Sequence, residues 1–244
     1  MGILTYSKSG KYQKAEPLKA TVLEKQKQLL GADHSLTLHA MANLANTYHK
    51  LGRYQEAESL KVSVLEKRKT LLGADHLDTL HAKANLAITY YKLGRYQEAE
   101  PLQATVLEKW KTLLGADNLD TLYAMANLAN TYHKLRRYQE AEDLKVTVLE
   151  KWKTLFSADH LDTLHAMANL AVTYCELARY QEAEPLQVIV LEKRKELLGA
   201  DHPNTLAALD NLVATYHKLG KNKEEKELQA QYEQVVSKKN SLMV

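Results

Sequence analysis

Cysteine is almost missing from this chain: Cys175 is the only one in 244 residues. That excludes an internal disulfide and predicts a reducing, cytoplasmic setting. Nine glycines and four prolines leave little material for turns, which excludes a domain of many short strands and leaves long helices. No apolar run approaches the roughly 20 residues of a membrane span. The N-terminus lacks the basic flank and apolar stretch of a signal peptide. Met1-Gly2 is a poor myristoylation site, because Tyr6 stands where Ser or Thr is wanted. Neither sign of charge dominates, with 33 Lys and Arg against 30 Asp and Glu. A net charge of +3 is too small to argue for nucleic acid, so neither nucleic acid nor membrane is expected as a partner. No Gly-x-x-x-x-Gly-Lys-Ser/Thr loop occurs in the chain, so it carries no P-loop ATPase site.

What the chain has is repetition. Leu51-Gly52-Arg53-Tyr54-Gln55-Glu56-Ala57-Glu58 returns as Leu93-Gly94-Arg95-Tyr96-Gln97-Glu98-Ala99-Glu100, and Tyr12, Tyr54, Tyr96, Tyr138 and Tyr180 are each 42 residues apart. Asp33, Asp75, Asp117, Asp159 and Asp201 keep the same period, as do Asn43, Asn85, Asn127, Asn169 and Asn211. A fixed period of this size marks a solenoid, whose units bury their apolar faces only by stacking on one another.

The period divides the chain into a partial front unit at 1–30 and units at 31–72, 73–114, 115–156 and 157–198. A last unit at 199–238 includes a polar capping helix, and 239–244 is a tail. Within each unit two helices are expected. In the second full unit the first runs from Leu77 to Leu93, with Asp75 or Asp78 as its cap. Leu80, Ala84, Ala87, Tyr90 and Tyr91 share one face of it, with Leu86 at the edge. Gly94 closes it. The second helix, from about Arg95 to Leu114, carries Ala99, Leu102, Val106, Trp110 and Leu113 in a stripe. Pro101 inside it, like Pro17 and Pro185 in theirs, predicts a kink and not a break.

Residues 3–10 align with Ala45–Gly52, the end of a first helix, so the array is expected to start in mid-unit with a turn at Gly10 and a partner helix over about 11–30. That leaves an open end at which two copies could associate. At the other end the charged run from Lys221 to Glu227 reads as the true end of the array.

Two antiparallel helices per unit, with Leu44-Ala45-x-x-Tyr48 in the first and Tyr54-x-x-Ala57 in the second, resemble the tetratricopeptide repeat. The 42-residue spacing, Leu-Gly-Ala-Asp-His and Tyr-Gln-Glu-Ala-Glu-Pro-Leu resemble its kinesin light chain type. They also resemble the C-terminal arrays of fungal and bacterial NLR-like (NACHT or NB-ARC) ATPases. The usual repeat is 34 residues. Here Met41, Met125 and Met167 replace its Trp, Ala45 its Gly, and Lys61 or Gln103 its Phe. The resemblance implies an all-α right-handed superhelix of five helix pairs, acting as a non-catalytic protein-interaction scaffold. It also implies an alternative: the sensing or assembly segment of a larger STAND ATPase whose nucleotide-binding domain lies outside this chain.

No enzyme chemistry stands out, and no catalytic residue, metal site or cofactor is expected. The recurring Asp-His pairs are spaced wrongly for a helical zinc pair, and Asn118 and Tyr123 replace both histidines in one unit. Cys175 shares its column with His49, Tyr91, His133 and His217 and reads as a tolerated substitution. Trp110 and Trp152, where other units carry Gln26, Arg68 and Arg194, read as core filling. The remaining candidate is a stripe on the first helix, opposite its packed face. It reads His39, Asn43, Asn46, Lys50; His81, Asn85, Ile88, Lys92; Tyr123, Asn127, Asn130, Lys134; His165, Asn169, Val172, Glu176; and Ala207, Asn211, Ala214, Lys218. Asn is a poor helix former and recurs mid-helix in every unit. By the resemblance, first helices line a concave groove, so the stripe is expected to bind an extended, acidic peptide. Protonation of His39, His81 and His165 near pH 6 is expected to strengthen that binding.

Overall fold

The computed structural model describes residues 3–241, with side chains described over 10–233. Among these residues there are eleven helices and no strand. The helices are α1 (Ile3–Leu30), α2 (Ser35–Lys50), α3 (Tyr54–Leu72), α4 (Leu77–Lys92), α5 (Tyr96–Leu114), α6 (Leu119–Lys134), α7 (Tyr138–Leu155), α8 (Leu161–Glu176), α9 (Tyr180–Leu198), α10 (Pro203–Leu219) and α11 (Asn222–Ser241). They form two compact units, Met1–Leu135 and Arg136–Val244. In the first, each helix from α1 to α6 packs on the next; in the second, each from α7 to α11 does so. Within each unit the linkers are too short for anything but antiparallel neighbours.

The packed faces follow the 3.6-residue period. In α4, Leu80, Ala82, Leu86 and Ala87 are buried; in α5, Ala99, Val106, Leu107 and Trp110 are. Leu23, Met41, Leu44, Val64, Leu65 and Leu86 join α1 to α4 in one core. Pro101 and Pro185 lie inside helices that run through them unbroken. Burying this apolar surface between neighbours holds each unit together, because helices draw most of their stability in proteins from packing an apolar face.

Each helix pair turns on a residue in the left-handed region. Gly52 and Gly94 sit at φ +78°, where only glycine is unstrained. The same turn is made by Arg136 at φ 62° and Ala178 at φ 58°, which carry a Cβ into that region at a cost. The next residue fastens the repeat. The Arg95 guanidinium lies over the Tyr90 ring at 4.3 Å, and pairs with Glu98 at 2.6 Å and with Glu58 of the preceding repeat at 2.7 Å. Arg53 repeats this on Tyr48, Glu56 and Glu16, and Arg179 on Tyr174, Glu182 and Glu142. Lys221 replaces the arginine at the last junction, 2.6 Å from Glu184. This explains the recurring Arg-Tyr-Gln-Glu-Ala-Glu run: its arginine is held by its own repeat and by the one before.

The front of the chain departs from expectation. Ile3–Leu30 is one continuous helix and does not turn at Gly10. The turn sequence there is Ser9-Gly10-Lys11, without the Leu and Arg that flank Gly52. With no first helix folded back on α1, Leu18 is 69% and Val22 49% exposed, while Val64, one period on, is 2% exposed. The helix caps also differ from the reading of Asp75 or Asp78. The N-cap of α4 is His76, whose Nδ1 accepts the Asp78 backbone N–H at 3.1 Å. His34, His160 and His202 do the same for their helices, and Asn118 Oδ1 accepts from the Asp120 N–H at 2.9 Å. Asn is a preferred N-cap, so His and Asn do one job in this column. The aspartate before the cap pairs with a lysine of the second helix instead, as Asp75 does with Lys109 at 2.8 Å.

No helix among the described residues is long and apolar enough to cross a membrane.

Candidate functional site

The first-helix stripe is at the surface. His39, Asn43, Asn46 and Lys50 on α2 are exposed, as are Asn85 and Lys92 on α4, with His81 and Ile88 half-buried. On α6, Tyr123 and Lys134 are exposed while Asn127 and Asn130 are half-buried. In the second unit, His165, Asn169 and Glu176 on α8 and Ala207, Asn211, Ala214 and Lys218 on α10 are exposed, and Val172 is half-buried. Each stripe therefore presents amides to solvent above a floor made by the second helices.

That floor holds a buried cation which the pattern of the sequence did not reveal. Lys61, on α3, is 5% exposed, and its Nζ donates to the Asn85 carbonyl at 3.2 Å and to Thr89 Oγ1 at 2.9 Å. Thr89 Oγ1 in turn donates to the same carbonyl at 3.1 Å. Lys19 does this with Asn43 and Thr47, and Lys145 with Asn169 and Thr173. The asparagines thus enter the internal network through their backbone. Burial, with Lys50 nearby, lowers the Lys61 pKa to about 8. The same lysines act on His49, whose pKa falls to about 4 through burial and the charges of Lys61, Lys50 and Lys92. His165 is also held below its ordinary value, by burial and by Arg194. It is therefore harder to protonate than an ordinary histidine, which weakens its share of the expected strengthening on acidification.

In the column of Lys61 stand Gln103 and Gln187, and in the column of Arg68 stand Trp110 and Trp152. These substitutions change the floor. Around Lys61 and Arg68 the space lined by Ala42, Asn46, Val64, Ala82 and Asn85 is only about 20 Å³. One period on, the equivalent positions surround a hollow of about 140 Å³, widened by His81, Asn85, Asp120 and Tyr123. Arg68 fills its space and donates to the Asp78 carbonyl at 2.9 Å. Trp110 leaves its own indole Nε1–H without a partner, and Gln103 likewise its Oε1, although the two residues are only 5% and 4% exposed. The His81 ring closes on Trp110 at 5.0 Å between centroids. Trp110 and Trp152 are buried, as core filling requires, but Trp110 is also the back wall of this hollow.

Cys175 is half-buried, with Sγ 3.5 Å from Thr215 Oγ1 and 3.6 Å from Gln187 Nε2. Neither neighbour is a base that would activate a thiol. Among the described residues, no group of three or more His, Cys, Asp or Glu is placed to hold a metal ion.

Comparison with known proteins agrees with this architecture. The chain is similar to the nearly identical TPR-like repeats of a candidate kinesin light chain from Podosopora anserina, at 27% identity and TM-score 0.73, covering 84% of this chain and 98% of that one. It is similar in fold to BtubC (BKLC) from P. vanneervenii, at 18% identity and TM-score 0.74, over 98% of this chain and 93% of that one. A Rap protein complexed with Competence and Sporulation Factor shares the fold at 14% identity and TM-score 0.60, over 96% of this chain and 72% of that one. None of the curated proteins compared with the chain matches it. The tetratricopeptide repeat model matches residues 3–70, 50–108, 75–150, 127–187 and 174–236. This chain is accordingly a member of the tetratricopeptide repeat family, with structural neighbours among kinesin light chain-like repeat proteins.

Proposed function

We propose that this array is a non-catalytic scaffold that binds an extended acidic peptide along its first-helix stripe. Tetratricopeptide repeats typically mediate protein–protein interaction, and the reading adds where and with what. The observation that carries it is the asparagine of each repeat, exposed at Asn43, Asn85, Asn169 and Asn211 and half-buried at Asn127, with exposed Lys50, Lys92, Lys134 and Lys218 one helical turn or two beyond and Glu176 the one opposing charge in the stripe. An amide side chain offers a donor and an acceptor at a fixed interval, which suits a peptide backbone. The lysines favour carboxylates, and their exposure makes the attraction modest and sensitive to salt. The solved Rap protein, similar in fold, is complexed with Competence and Sporulation Factor, so an array of this fold can hold a partner.

The test is fluorescence polarisation with acidic and basic peptide libraries at low and high salt. Acidic peptides should bind with affinity on the order of micromolar, weaken with salt, and lose binding to the Asn85→Ala/Asn127→Ala variant at unchanged helicity. Equal binding of basic peptides, or an unaffected double variant, would place the function on another surface. A sensing segment of a longer ATPase would use the same stripe, so the peptide experiment bears on both readings.

The exposed Leu18 and Val22 on α1 also favour self-association at that end. Sedimentation of wild type against Leu18→Gln/Val22→Gln measures it: the wild type should show a concentration-dependent dimer that the variant lacks.

A further inference from the structure

In the second unit, α8, α9 and α10 line a hollow of about 290 Å³, with Val172, Cys175, Glu176, Tyr180, Ala214 and Lys218 on its wall. Three periods earlier the same columns fall on α2, α3 and α4. Tyr, Asn, Thr and Lys are kept in four of them, and five change: Asn46 becomes Val172, His49 Cys175, Lys50 Glu176, Lys61 Gln187 and Ile88 Ala214. At the earlier place long side chains fill the space. His49 stands edge-on to Tyr54 at 5.1 Å between centroids, and the Lys61 ammonium reaches Thr89 Oγ1 at 2.9 Å. At the later place Cys175 and Ala214 are shorter, and the Gln187 amide donates to Cys175 Sγ at 3.6 Å. The charge changes with the space. Burial, together with Lys61, Lys50 and Lys92, pushes the pKa of His49 down to about 4. The counterparts of those three lysines are Gln187, Glu176 and Lys218, so three positive charges give way to one of each sign. A place that repels cations in one repeat admits them in another.

We propose that this hollow is a subsite for a basic side chain, the Arg or Lys of an otherwise acidic peptide. The inference rests on the peptide-groove reading, which supplies the ligand's backbone. The groups it uses are open to solvent: Glu176, Ala214 and Lys218 are exposed, and Val172 and Tyr180 half-buried. The Tyr138 hydroxyl donates to the Glu176 carboxylate, which orients it; a carboxylate accepts several hydrogen bonds, so an incoming N–H still finds a lone pair. Tyr180 on the same wall offers an aromatic ring, a favourable neighbour for a cation. Val172 and Ala214 suit the methylenes of a long basic side chain, whose charged end stays at the wet rim beside Glu176. Lys218 is placed for the carboxylate of an adjoining acidic residue. An acidic side chain in the hollow meets Glu176 and is repelled. An aliphatic one gains the apolar contact alone. Exposed Asn211 lies at the opening, so the amide that holds the backbone stands next to the pocket that reads the side chain. The subsite therefore selects one residue of reversed charge within the ligand.

Two substitutions copy the earlier repeat, so neither is foreign to the fold: Glu176→Lys restores the charge of Lys50, and Ala214→Ile the bulk of Ile88. In the 15N-labelled full chain the Val172 amide signal reports on the hollow. The probes are acetyl-Arg-methylamide, acetyl-Glu-methylamide and acetyl-Leu-methylamide at pH 7 and matched ionic strength. The Arg probe should move the signal saturably and several-fold further than the other two. Ala214→Ile should lose that response, and Glu176→Lys should transfer it to the Glu probe, both at the urea midpoint of wild type. In a second arm, fluorescein-labelled peptides Glu-Glu-X-Glu-Glu-amide should bind about threefold tighter with X = Arg than with X = Leu, although the Arg peptide carries less negative charge. The preference should fade with salt, and Glu176→Lys should reverse it. Equal responses to the Arg and Glu probes, no response to any probe, or an Arg response that survives both substitutions would overturn the proposal. Acidic peptides that bind without preference for Arg at X, with the Arg probe silent, would remove the subsite and leave the groove reading standing. A Val172 response to the Arg probe with no peptide binding would do the reverse.

Discussion

Replacing Lys61 by methionine should stabilise the protein. The ammonium is 5% exposed and has its pKa lowered from 10.5 to about 8. That displacement, caused by burial and by Lys50, corresponds to about 3 kcal/mol against the charged form. Methionine has nearly the same volume and no charge, so the packing between α3 and α4 is kept. The acceptors are not orphaned, because Thr89 Oγ1 still donates to the Asn85 carbonyl at 3.1 Å. Allowing for imperfect repacking, Lys61→Met should gain about 1–3 kcal/mol at pH 7. The sign with pH follows from the lowered pKa. Below about 8 the charged form is carried in the fold at full cost; as pH rises from 8 to the ordinary 10.5, the folded chain sheds the proton first and gains stability. Wild type should therefore catch up with the variant across that interval. Urea midpoints of both proteins at pH 7 and 10.5 test this, with each midpoint followed by two probes because repeat arrays do not always melt in one step. A variant weaker than wild type at pH 7 by 1 kcal/mol or more would show that the bonds to Asn85 and Thr89 outweigh the burial. Gln103 and Gln187 in the same column already show that a neutral residue is accepted there.

Leu86→Ala and Leu128→Ala, each at a site 4% exposed, should cost about 2–5 kcal/mol in urea unfolding, against almost nothing for exposed Lys92→Ala; equal small losses would mean the faces are misassigned. Ala178→Gly should gain about 1 kcal/mol by calorimetry, because φ 58° strains alanine and suits glycine, and a loss would show the turn is not strained. His49 is neutral in the fold down to about 4 and in the unfolded chain only down to 6.5. Its contribution is full above 6.5 and is lost as pH falls through 4, an effect of about 1 kcal/mol once partial exposure is discounted. Melting temperatures of wild type and His49→Gln should converge over that window, and a constant gap would refute the assignment.

The helices, their order and their buried faces were legible because the period repeats the same apolar spacing, and errors in one copy are corrected by the next. Leu80, Leu86, Ala87 and Trp110 lie where that spacing puts them. Chemistry that breaks a general habit was harder to see. Histidine is an uncommon helix cap, and the nearby aspartates drew the assignment; the exchange of His for Asn118 was the available signal. Lysine is rarely buried, so Lys61 was matched to a missing aromatic instead of to Thr89, although Thr47, Thr89 and Thr173 recur with it. The hollow at Gln103 and Trp110 accompanies changes in three columns at once, Asn46 to Ile88, Lys61 to Gln103 and Arg68 to Trp110, which no single column shows. At the front, alignment with Ala45–Gly52 suggested a turn, but Lys11 and Ser9 lack the side chains that hold one.

The Arg–Glu fastening between repeats has a consequence for how such a chain changes over generations. Arg53 with Glu16, Arg95 with Glu58, Arg179 with Glu142 and Lys221 with Glu184 join partners that are 37 residues apart in every case. A deletion or duplication of one whole period brings together two ends that already match, wherever the cut falls. Length is then inherited almost independently of fold, and unequal exchange between near-identical gene segments can add or drop a repeat without a compensating mutation. Side chains that line the hollows are carried along with their repeat, so such an exchange reorders them while the Arg–Glu spacing at each junction is kept.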